Sequence, residues 1–571
     1  MPYIAKPIDR DQVTISTLDS MVGWDSTARV IDHFVDCLDL DKLGFEKTEP
    51  NYEGRPSYDP QSLLKLYLYG YRNDLRSSRK LARACEVNIE VMWMMGGLKP
   101  DFRTVSDFRK DNIKSLKGVF REFTERVTVD LETGYVSIDG SKFKAWNSKD
   151  RNFTIMKLDD RIKWLEDHTL EYLRLIEETD REEEKAGETL TKEELEAKLE
   201  EAGKRLERYR AYRELMEKEN LTQISLTDAD ARLMKNKNGM DVSYNVQTAV
   251  DAETHLIMDY LATNKATDHG LIAPTVEVLK KEAGEKIIET VADRGYGQDG
   301  DMIACLENGI IPNVILPDGK DEYELEVEYR EADGLDPAST KASELEKCLH
   351  AGVVPEAYKD VIRDMEVVEV RRKVKDETAE KVESPYGSEE EMKARAGEGY
   401  YVRDPERDLV YCPGGETLRK KSIKKNGATR YANKHACSRC PYREKCVTGK
   451  GITRWKEMDF GKDTLEKKAK WWNPDGPDDP DKTGKKKNGG HYEKKKVVRF
   501  KFRPDREKMK QRMCISEHPF GTIKRTLGAA YFLLKGKRKV SGEFALMATG
   551  YNITRAENMF TFEELMALVG A

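Results

Sequence analysis

At 571 residues, with 36% charged and 38% hydrophobic positions, the chain is long enough for three or four structural units around sizeable cores. No run approaches the ~18 apolar residues of a membrane span, and the start of the sequence lacks the apolar core of a secretory signal, so a cytoplasmic protein with no membrane partner is expected. The formal charge of −6 does not by itself point to nucleic acid, so local charge has to decide.

Residues 1–130 read as a helical domain. In DPQSLLKLYLYGY, Asp59 is placed as an N-cap and Pro60 at the first helical position, and Leu63, Leu64, Tyr67 and Tyr71 share one face. Gly96 and Gly97 close another helix, and Thr104 opens a third through Val105, Phe108, Ile113, Leu116 and Phe120. Between the first two lies RNDLRSSRKLAR, whose Arg72, Arg76, Arg79, Lys80 and Arg83 form a basic patch. A helix-turn-helix-like DNA reader and a solvated bundle face both fit it.

Residues 131–317 change pattern. GYVSIDGSKFKAW alternates like a strand, with Val136 and Ile138 leading into Asp139. Residues 155–220 read as an inserted helical hairpin. One stripe holds Ile162, Leu165, Tyr172, Leu173 and Ile176, and the other Leu195, Leu199, Leu206 and Leu215. From Glu177 to Ala202 it carries twelve acids against four bases, which suits solvent or protein better than phosphate. Strands over 240–251 and 255–263 read as an antiparallel pair. Then follow a helix in LIAPTVEVLKKEA, a strand in KIIETVADRGY, a helix in DGDMIACLENG and a strand in IIPNVILP, the alternation of a mixed α/β core. Residues 318–500 read as a charged, irregular insertion domain, and residues 501–571 return to helices.

Three acids stand out by position. Asp139 ends or follows a strand, Asp293 ends IIETVAD, and Glu517 lies on a late helix; all three can converge at the carboxyl edge of one sheet. Phosphoryl transfer on nucleic acid uses two hard divalent ions about 3.5 to 4 Å apart, and three carboxylates suffice to hold them. Taken singly, each acid also has a plain reading: a turn, a strand end, a solvated helix side chain. Asp228, Asp230 and Asp251 read as turn caps.

Cys437 and Cys440 form a CxxC, Cys446 follows, and Cys412 precedes. Such a set suits a closed, structural Zn²⁺ site, with His435 as a substitute ligand; four reduced thiols are the alternative. Cys37, Cys85, Cys305, Cys348 and Cys514 have no comparable company. The tract KTGKKKNGGHYEKKKVVRFKFR, residues 482–503, holds ten Lys or Arg, including Lys494, Lys495 and Lys496, against one acid. Phosphate contact and a solubilising loop both explain it.

The blocks VSIDGSKFKAWNSK, SLTDADARLMK, YNVQTAVD, ETVADRGYGQDG and ISEHPFGTIKR, in this order, resemble those of bacterial insertion-sequence transposases of the DDE type. Within these the chain resembles the group built around insertion sequence eleven-eighty-two, and its amino-terminal stretch resembles their helical DNA-binding domain. The resemblance implies an RNase-H-like catalytic core of α/β class, with Asp139, Asp293 and Glu517 holding two Mg²⁺ (or Mn²⁺) ions. It also implies transposon-end and target DNA as partners, a homodimer in the synaptic complex, and a nucleoid-associated life in a bacterium.

The wider superfamily carries a signature of Tyr, two residues, Arg, three residues, Glu, six residues, Lys. Here Glu517 and Lys524 keep the second half, but Lys510 and Met513 stand where Tyr and Arg belong, and Arg512 sits one position early. Lys524, Arg512 and Arg525 are the expected phosphate contacts. Glu517 and Lys524, seven apart, share a helical face roughly 10 Å apart, and Pro519 between them is expected to kink that helix. A transposase-derived DNA-binding regulator and a non-transposing RNase-H-like nuclease are the competing functions.

Overall fold

A computed structural model describes residues 11, 13, 15–48, 57–128, 134–146, 152–181, 192–218, 221, 223–236, 239–373, 386, 388–424, 428–447, 455–461, 464–469, 471–472 and 492–570. The chain opens with helices α1 (Leu18–Met21), α2 (Thr27–Asp36), α3 (Pro60–Arg72), α4 (Ser78–Val87), α5 (Ile89–Met94), α6 (Phe102–Asp111) and α7 (Leu116–Thr128). The start of α3 follows from its sequence. The Asp59 carboxylate accepts the N–H groups of Gln61 and Ser62, and Pro60 occupies a position whose N–H has no helical partner. Leu63, Leu64, Tyr67 and Tyr71 are all buried, as their spacing predicts.

The central sheet follows. It is built from β1 (Val136–Lys144), β4 (Arg232–Asn236), β5 (Gly239–Asp251), β6 (Ile257–Thr263), β7 (Ile288–Ala292) and β8 (Ile310–Val314). The order is β4-β5-β1-β7-β8, with β6 also pairing with β5. Strands β5 and β6 are antiparallel, β5 and β1 antiparallel, while β1, β7 and β8 run parallel. The parallel step from β7 to β8 uses α12 (Asp299–Glu307) as its crossover, and α10 (Ile272–Thr275) and α11 (Glu277–Ala283) precede β7. The short pair β2 (Asn152–Thr154) and β3 (Gln223–Ser225) closes the base of the hairpin α8 (Ile155–Arg181) and α9 (Lys192–Lys218).

The hairpin has its own small core of Phe153, Leu158, Met216 and Ile224. Leu165 joins the buried side, but Leu173 and Leu215 of the expected stripes are exposed. The side chains of Tyr172, Ile176 and Leu195 lie outside the described residues. On the second helix Met216, one position on, carries the burial expected of Leu215.

Two compact units emerge, Met1–Glu369 with Lys496–Ala571, and Val370–Lys495. The first unit also holds β9 (Tyr323–Glu328) and α13 (Ala342–Ala351); the chain leaves it along β10 (Ile362–Lys373) and returns along β17 (Tyr492–Phe502). The second unit is not irregular, as its charge suggests. It folds α14 (Glu389–Gly397), α15 (Lys434–Arg439) and α16 (Arg443–Cys446) with a six-stranded antiparallel sheet. That sheet comprises β11 (Tyr400–Asp404), β12 (Leu409–Tyr411), β13 (Thr417–Ile423), β14 (Thr429–Ala432), β15 (Glu457–Phe460) and β16 (Glu466–Lys468). Its strands are short and its outward positions charged: Arg430 pairs with Glu457 and Asp459, and Lys421 with Glu457.

The last helices, α17 (Arg506–Gly521), α18 (Lys537–Met559) and α19 (Phe562–Gly570), do not stand apart from the first. One hydrophobic core joins α2 to α7, one face of the sheet and α17 to α19, with Phe143 of β1 among Phe520, Phe532 and Phe544 at centroid distances of 5.5 to 6.0 Å. A second core under the other face holds Ile138, Ala292, Tyr296 and Leu306. Within the first core lies a buried polar knot. Arg76 meets Glu543 at 3.0 Å and donates to the Gly528 and Tyr531 carbonyls, while Glu543 also accepts from Tyr71 and from the N–H groups of Leu533 and Leu534.

Glu543 is fully buried, so removing it strands the Arg76 charge in the core. Glu543→Ala is expected to cost about 3–5 kcal/mol, against about 1 kcal/mol for Glu557→Ala, whose pair with Arg72 is partly exposed. Urea denaturation of the two variants tests this, and equal midpoints contradict it.

Candidate active site

Parallel pairing of β1 with β7 matches Val136 to Thr290, Ser137 to Val291 and Ile138 to Ala292. The next residue on each strand is an acid, so Asp139 and Asp293 stand side by side on one face at the carboxyl end of this ladder. Asp139 lies inside β1 rather than at its end, opposite Thr248 of β5. Asp293 caps the short turn Arg294–Tyr296, accepting the Arg294 N–H at 2.8 Å. Arg294 itself turns to Asp318.

Asp139 is largely buried, its side chain 24% exposed, and burial pushes its carboxyl up to about 6. The Gly140 N–H at 2.9 Å and the Arg512 guanidinium, 3.9 Å from Oδ1, pull it down, while the charges of Asp268 and Asp293 push it further up. Two carboxylates so placed repel one another, and a cation relieves both the repulsion and the burial.

Helix α17 brings the bases. Asp505 caps its start, accepting from Glu507 and Lys508, and the Asp505 N–H donates to Asn313 at the carboxyl-side half of β8. Lys508 meets Glu289 of β7, and Gln511 accepts from Tyr135 at 2.7 Å. Thus anchored, the helix presents Arg512 to Asp139. Met513 is 59% exposed, whereas its neighbour Arg512 is buried and faces the sheet.

Helical geometry continues through Pro519, which is buried, and the departure comes three residues later as a π-turn, Thr522–Thr526. The kink expected at Pro519 does not interrupt the helix there; the change of winding is a separate turn downstream, of a kind common at functional sites. In that turn Lys524 donates to Ser141 Oγ at 2.6 Å and to the Lys142 carbonyl at 2.9 Å, over the Phe143 ring. Asp139 and Ser141, two apart, share a face of β1, so Arg512 and Lys524 reach the same face. Glu517 is on the exposed side of α17, roughly 140° around the helix from Arg512. The structure thus joins Asp139, Asp293, Arg512 and Lys524, and records no contact of Glu517 with them. Among the described residues no three His, Cys, Asp or Glu side chains are arranged to hold a metal ion.

A further acid, Asp268, lies behind this face. Its Oδ1 accepts from Lys142 at 3.2 Å, Asn245 at 2.7 Å and Gln247 at 3.0 Å. Tyr296 donates to Gln247 Oε1, and burial pushes the Tyr296 phenol up. Sequence reading passed over Asp268, Asn245 and Gln247. The available signal was two polar amides inside the otherwise apolar strand YNVQTAV. Asp228 and Asp230 are structural: Asp228 accepts from Tyr244 and Gly536, and Asp230 from the Lys537 N–H, fixing the start of α18. Asp251 accepts the N–H groups of Gly134, Glu253 and Thr254 in a turn.

The basic residues divide. Arg76 is buried on Glu543, which takes it out of the expected patch; Arg72 meets Glu557 and Arg83 meets Glu86. Lys80 is exposed, and exposed Arg79 stacks on Phe102 beside a cavity of about 570 Å³ that Arg103, Ser77 and Ser106 also line. Lys494, Lys495 and Lys496 are exposed on β17, a strand rather than a loop, and Arg525 is exposed after Lys524. Residues 482–491 of the basic tract lie outside the described residues.

The four cysteines of the second unit approach one another. A Cβ on Gly414 would stand 3.3 Å from Cys440 Sγ and 3.6 Å from Cys412 Sγ, and Cys446 Sγ lies 3.1 Å from the Tyr401 hydroxyl. Burial pushes the Cys412 and Cys446 thiols up, and the neighbouring Cys437 and Cys440 add to it. His435 is exposed.

Residues 16–111 match a family model described as Transposase domain (DUF772), and residues 222–393 and 479–556 each match one described as Transposase DDE domain. Together these span more than half of the chain; they include Asp293, Glu517 and Lys524 but not Asp139. The mixed sheet fits an RNase-H-like core. Neither the curated proteins nor the solved structures contain a match to the chain. No helix of the described residues is long and apolar enough to cross a membrane.

The raised Asp139 carboxyl has a definite consequence. An unfolded Asp ionises near 3.9, so the native state gains protons first, and the resulting stability, full below pH about 4, is lost as pH rises through about 6. In metal-free protein Asp139→Asn is expected to be about 3 kcal/mol more stable than wild type at pH near 7.5, with the gain gone near pH 4. Denaturation at both pH values measures it, and a pH-independent difference contradicts it.

Proposed function

From the premise that the chain is a DDE-type transposase, a polynucleotidyl transferase and endonuclease, we propose that it binds the terminal inverted repeats of its element, cleaves at the ends and joins the freed 3′-hydroxyls to target DNA. The observation that carries this reading is that Asp139 and Asp293 each follow the last matched pair of β1 and β7, with Arg512 and Lys524 delivered to the same face of β1. Carboxylate oxygens suit hard divalent ions, and the burial, with the neighbouring acids, that raises the Asp139 carboxyl is what a cation relieves. Asp139, Asp293 and Glu517 are the residues to hold two Mg²⁺ or Mn²⁺ ions, Glu517 by turning in from the exposed side of α17. When bound, such ions activate the attacking oxygen and stabilise the leaving one.

The protein's own residues then have distinct tasks. Lys524 exchanges Ser141 and the Lys142 carbonyl for a phosphate oxygen beside the scissile bond. Arg512 stays at Asp139 and steadies its charge, and Arg525, Arg79, Lys80, Arg83 and Lys494 to Lys496 hold flanking backbone. In the same site water attacks first and the DNA 3′-hydroxyl later. Synapsis of two ends implies at least a homodimer; the hairpin α8–α9, with Trp164, Leu170 and Leu173 exposed, is its proposed contact. Membership of the insertion sequence eleven-eighty-two group and association with the nucleoid belong to the same proposal.

End-cleavage and joining assays with Mg²⁺ test it. Asp139→Ala, Asp293→Ala and Glu517→Ala are each expected to lose at least about a thousandfold in rate while binding end DNA normally. Wild-type rates in any variant remove that residue from the triad. A protein that binds ends and neither cuts nor joins is the transposase-derived regulator, and one that cuts without joining is a nuclease; the exposed Glu517 is what keeps both readings in play.

We further propose that Cys412, Cys437, Cys440 and Cys446 hold a structural Zn²⁺ ion: the Cys412 and Cys440 sulfurs both lie beside the bare Gly414, and Cys437 and Cys440 both act on the thiols of Cys412 and Cys446. Elemental analysis is expected to find about one zinc per chain, and Cys440→Ser to lose it. Zinc-free protein with unchanged stability contradicts the site.

A further inference from the structure

Within that catalytic reading, we infer that Asp268 is a positioning residue of the active site, holding the Asp139 strand and the Asp293 turn in fixed relation from behind the sheet. The argument begins with which oxygen is used. Three donors converge on Oδ1 alone: Lys142 from β1, and the amides of Asn245 and Gln247 from β5. Strand register makes this possible, because Lys142 lies opposite Asn245 and Gly140 opposite Gln247. Alternation along β1 puts Gly140 and Lys142 on the face away from Asp139, so Asp268 supports the acids without entering their face.

Gly140 is part of the same arrangement. A Cβ there would stand 2.2 Å from Gln247 Nε2 and 2.9 Å from Asp268 Oδ1, so only glycine admits both to this strand. Its place after Asp139 is therefore explained by close approach within a strand, not by a turn.

Gln247 carries the constraint onward. With Nε2 committed to Asp268, and also to Asn245 Oδ1 at 3.1 Å, its Oε1 faces the Tyr296 hydroxyl. Tyr296 is buried and belongs to the turn that Asp293 caps. One chain of contacts thus runs from β1 through Lys142, Asp268, Gln247 and Tyr296 to the Asp293 turn. Without Asp268 the Gln247 amide loses what orients it, and the turn loses its tie to the strand. Asn245 and Gln247 are fully buried, so leaving their amides without this acceptor is costly.

Two variants of the full chain test this. Asp268→Ala removes the acceptor, whereas Asp268→Asn keeps an oxygen that can take Oδ1's place and removes the charge. Asp268→Ala is expected to lower the kcat of end cleavage about a hundredfold with DNA affinity unchanged, and Asp268→Asn to recover most of it. Wild-type kcat in Asp268→Ala, or an Asp268→Asn as impaired as Asp268→Ala, overturns the inference. Hydrogen exchange in DNA-free, metal-free protein reads the same point independently of catalysis. Faster exchange at residues 293–297 in Asp268→Ala, reversed in Asp268→Asn, is expected; unchanged exchange overturns the inference. If wild type itself neither cleaves nor joins, the functional reading fails while the exchange result still decides the role of Asp268.

Discussion

The register of β1 between two neighbours of opposite sense constrains everything else in the catalytic unit. Paired antiparallel to β5 and parallel to β7, the strand has no freedom to slide, and a slip of one residue would exchange its faces. Both faces are committed: Phe143 packs into the core shared with the terminal helices, and Ile138 into the core beneath. With those two residues fixed, Asp139 has one place to be, beside Asp293. The buried, charge-crowded position of Asp139 is a stability cost accepted at a functional site, and it makes the pair a natural host for a divalent cation.

The second constraint is the buried contact of Arg76 with Glu543, which ties the amino-terminal helices to the loop and helix that follow α17. Its consequence is architectural. The residues matched as a separate transposase domain share a core with the sheet, so α17 is braced both by the strands it crosses and by the helices behind it. Arg512 and Lys524 gain their geometry from that bracing. The same contact explains why a patch of basic residues in sequence is not a patch in space: a guanidinium that holds a core together is not available to phosphate.

Local pattern was enough for much of this. The alternation in VSIDGSKF and the apolar run IIETVAD gave two strands, and the acids Asp139 and Asp293 on them pointed to a shared edge, although Asp139 proves to lie inside its strand. Capping chemistry gave α3, and apolar stripes at helical spacing gave the hairpin. What could not be read locally depends on distant partners. Asp268 looks like any loop acid until Lys142, Asn245 and Gln247 converge on it. Arg76 looks like its exposed neighbours until Glu543, hundreds of positions later, is brought alongside. The sheet of the second unit was hidden because its strands are short and its charges pair across strands, leaving little apolar alternation to see. Pro519 pointed to a kink, but the helix continues through it, and the π-turn that carries Lys524 to β1 had no local signal.

The central claim is that Asp139 and Asp293 form the seat of the catalytic cation. Anomalous diffraction from crystals of the protein with Mn²⁺ and end DNA tests it most directly. The account predicts a manganese peak within coordinating distance of both carboxylates. A peak bound elsewhere, with Asp139 still turned to Arg512 alone, would contradict it.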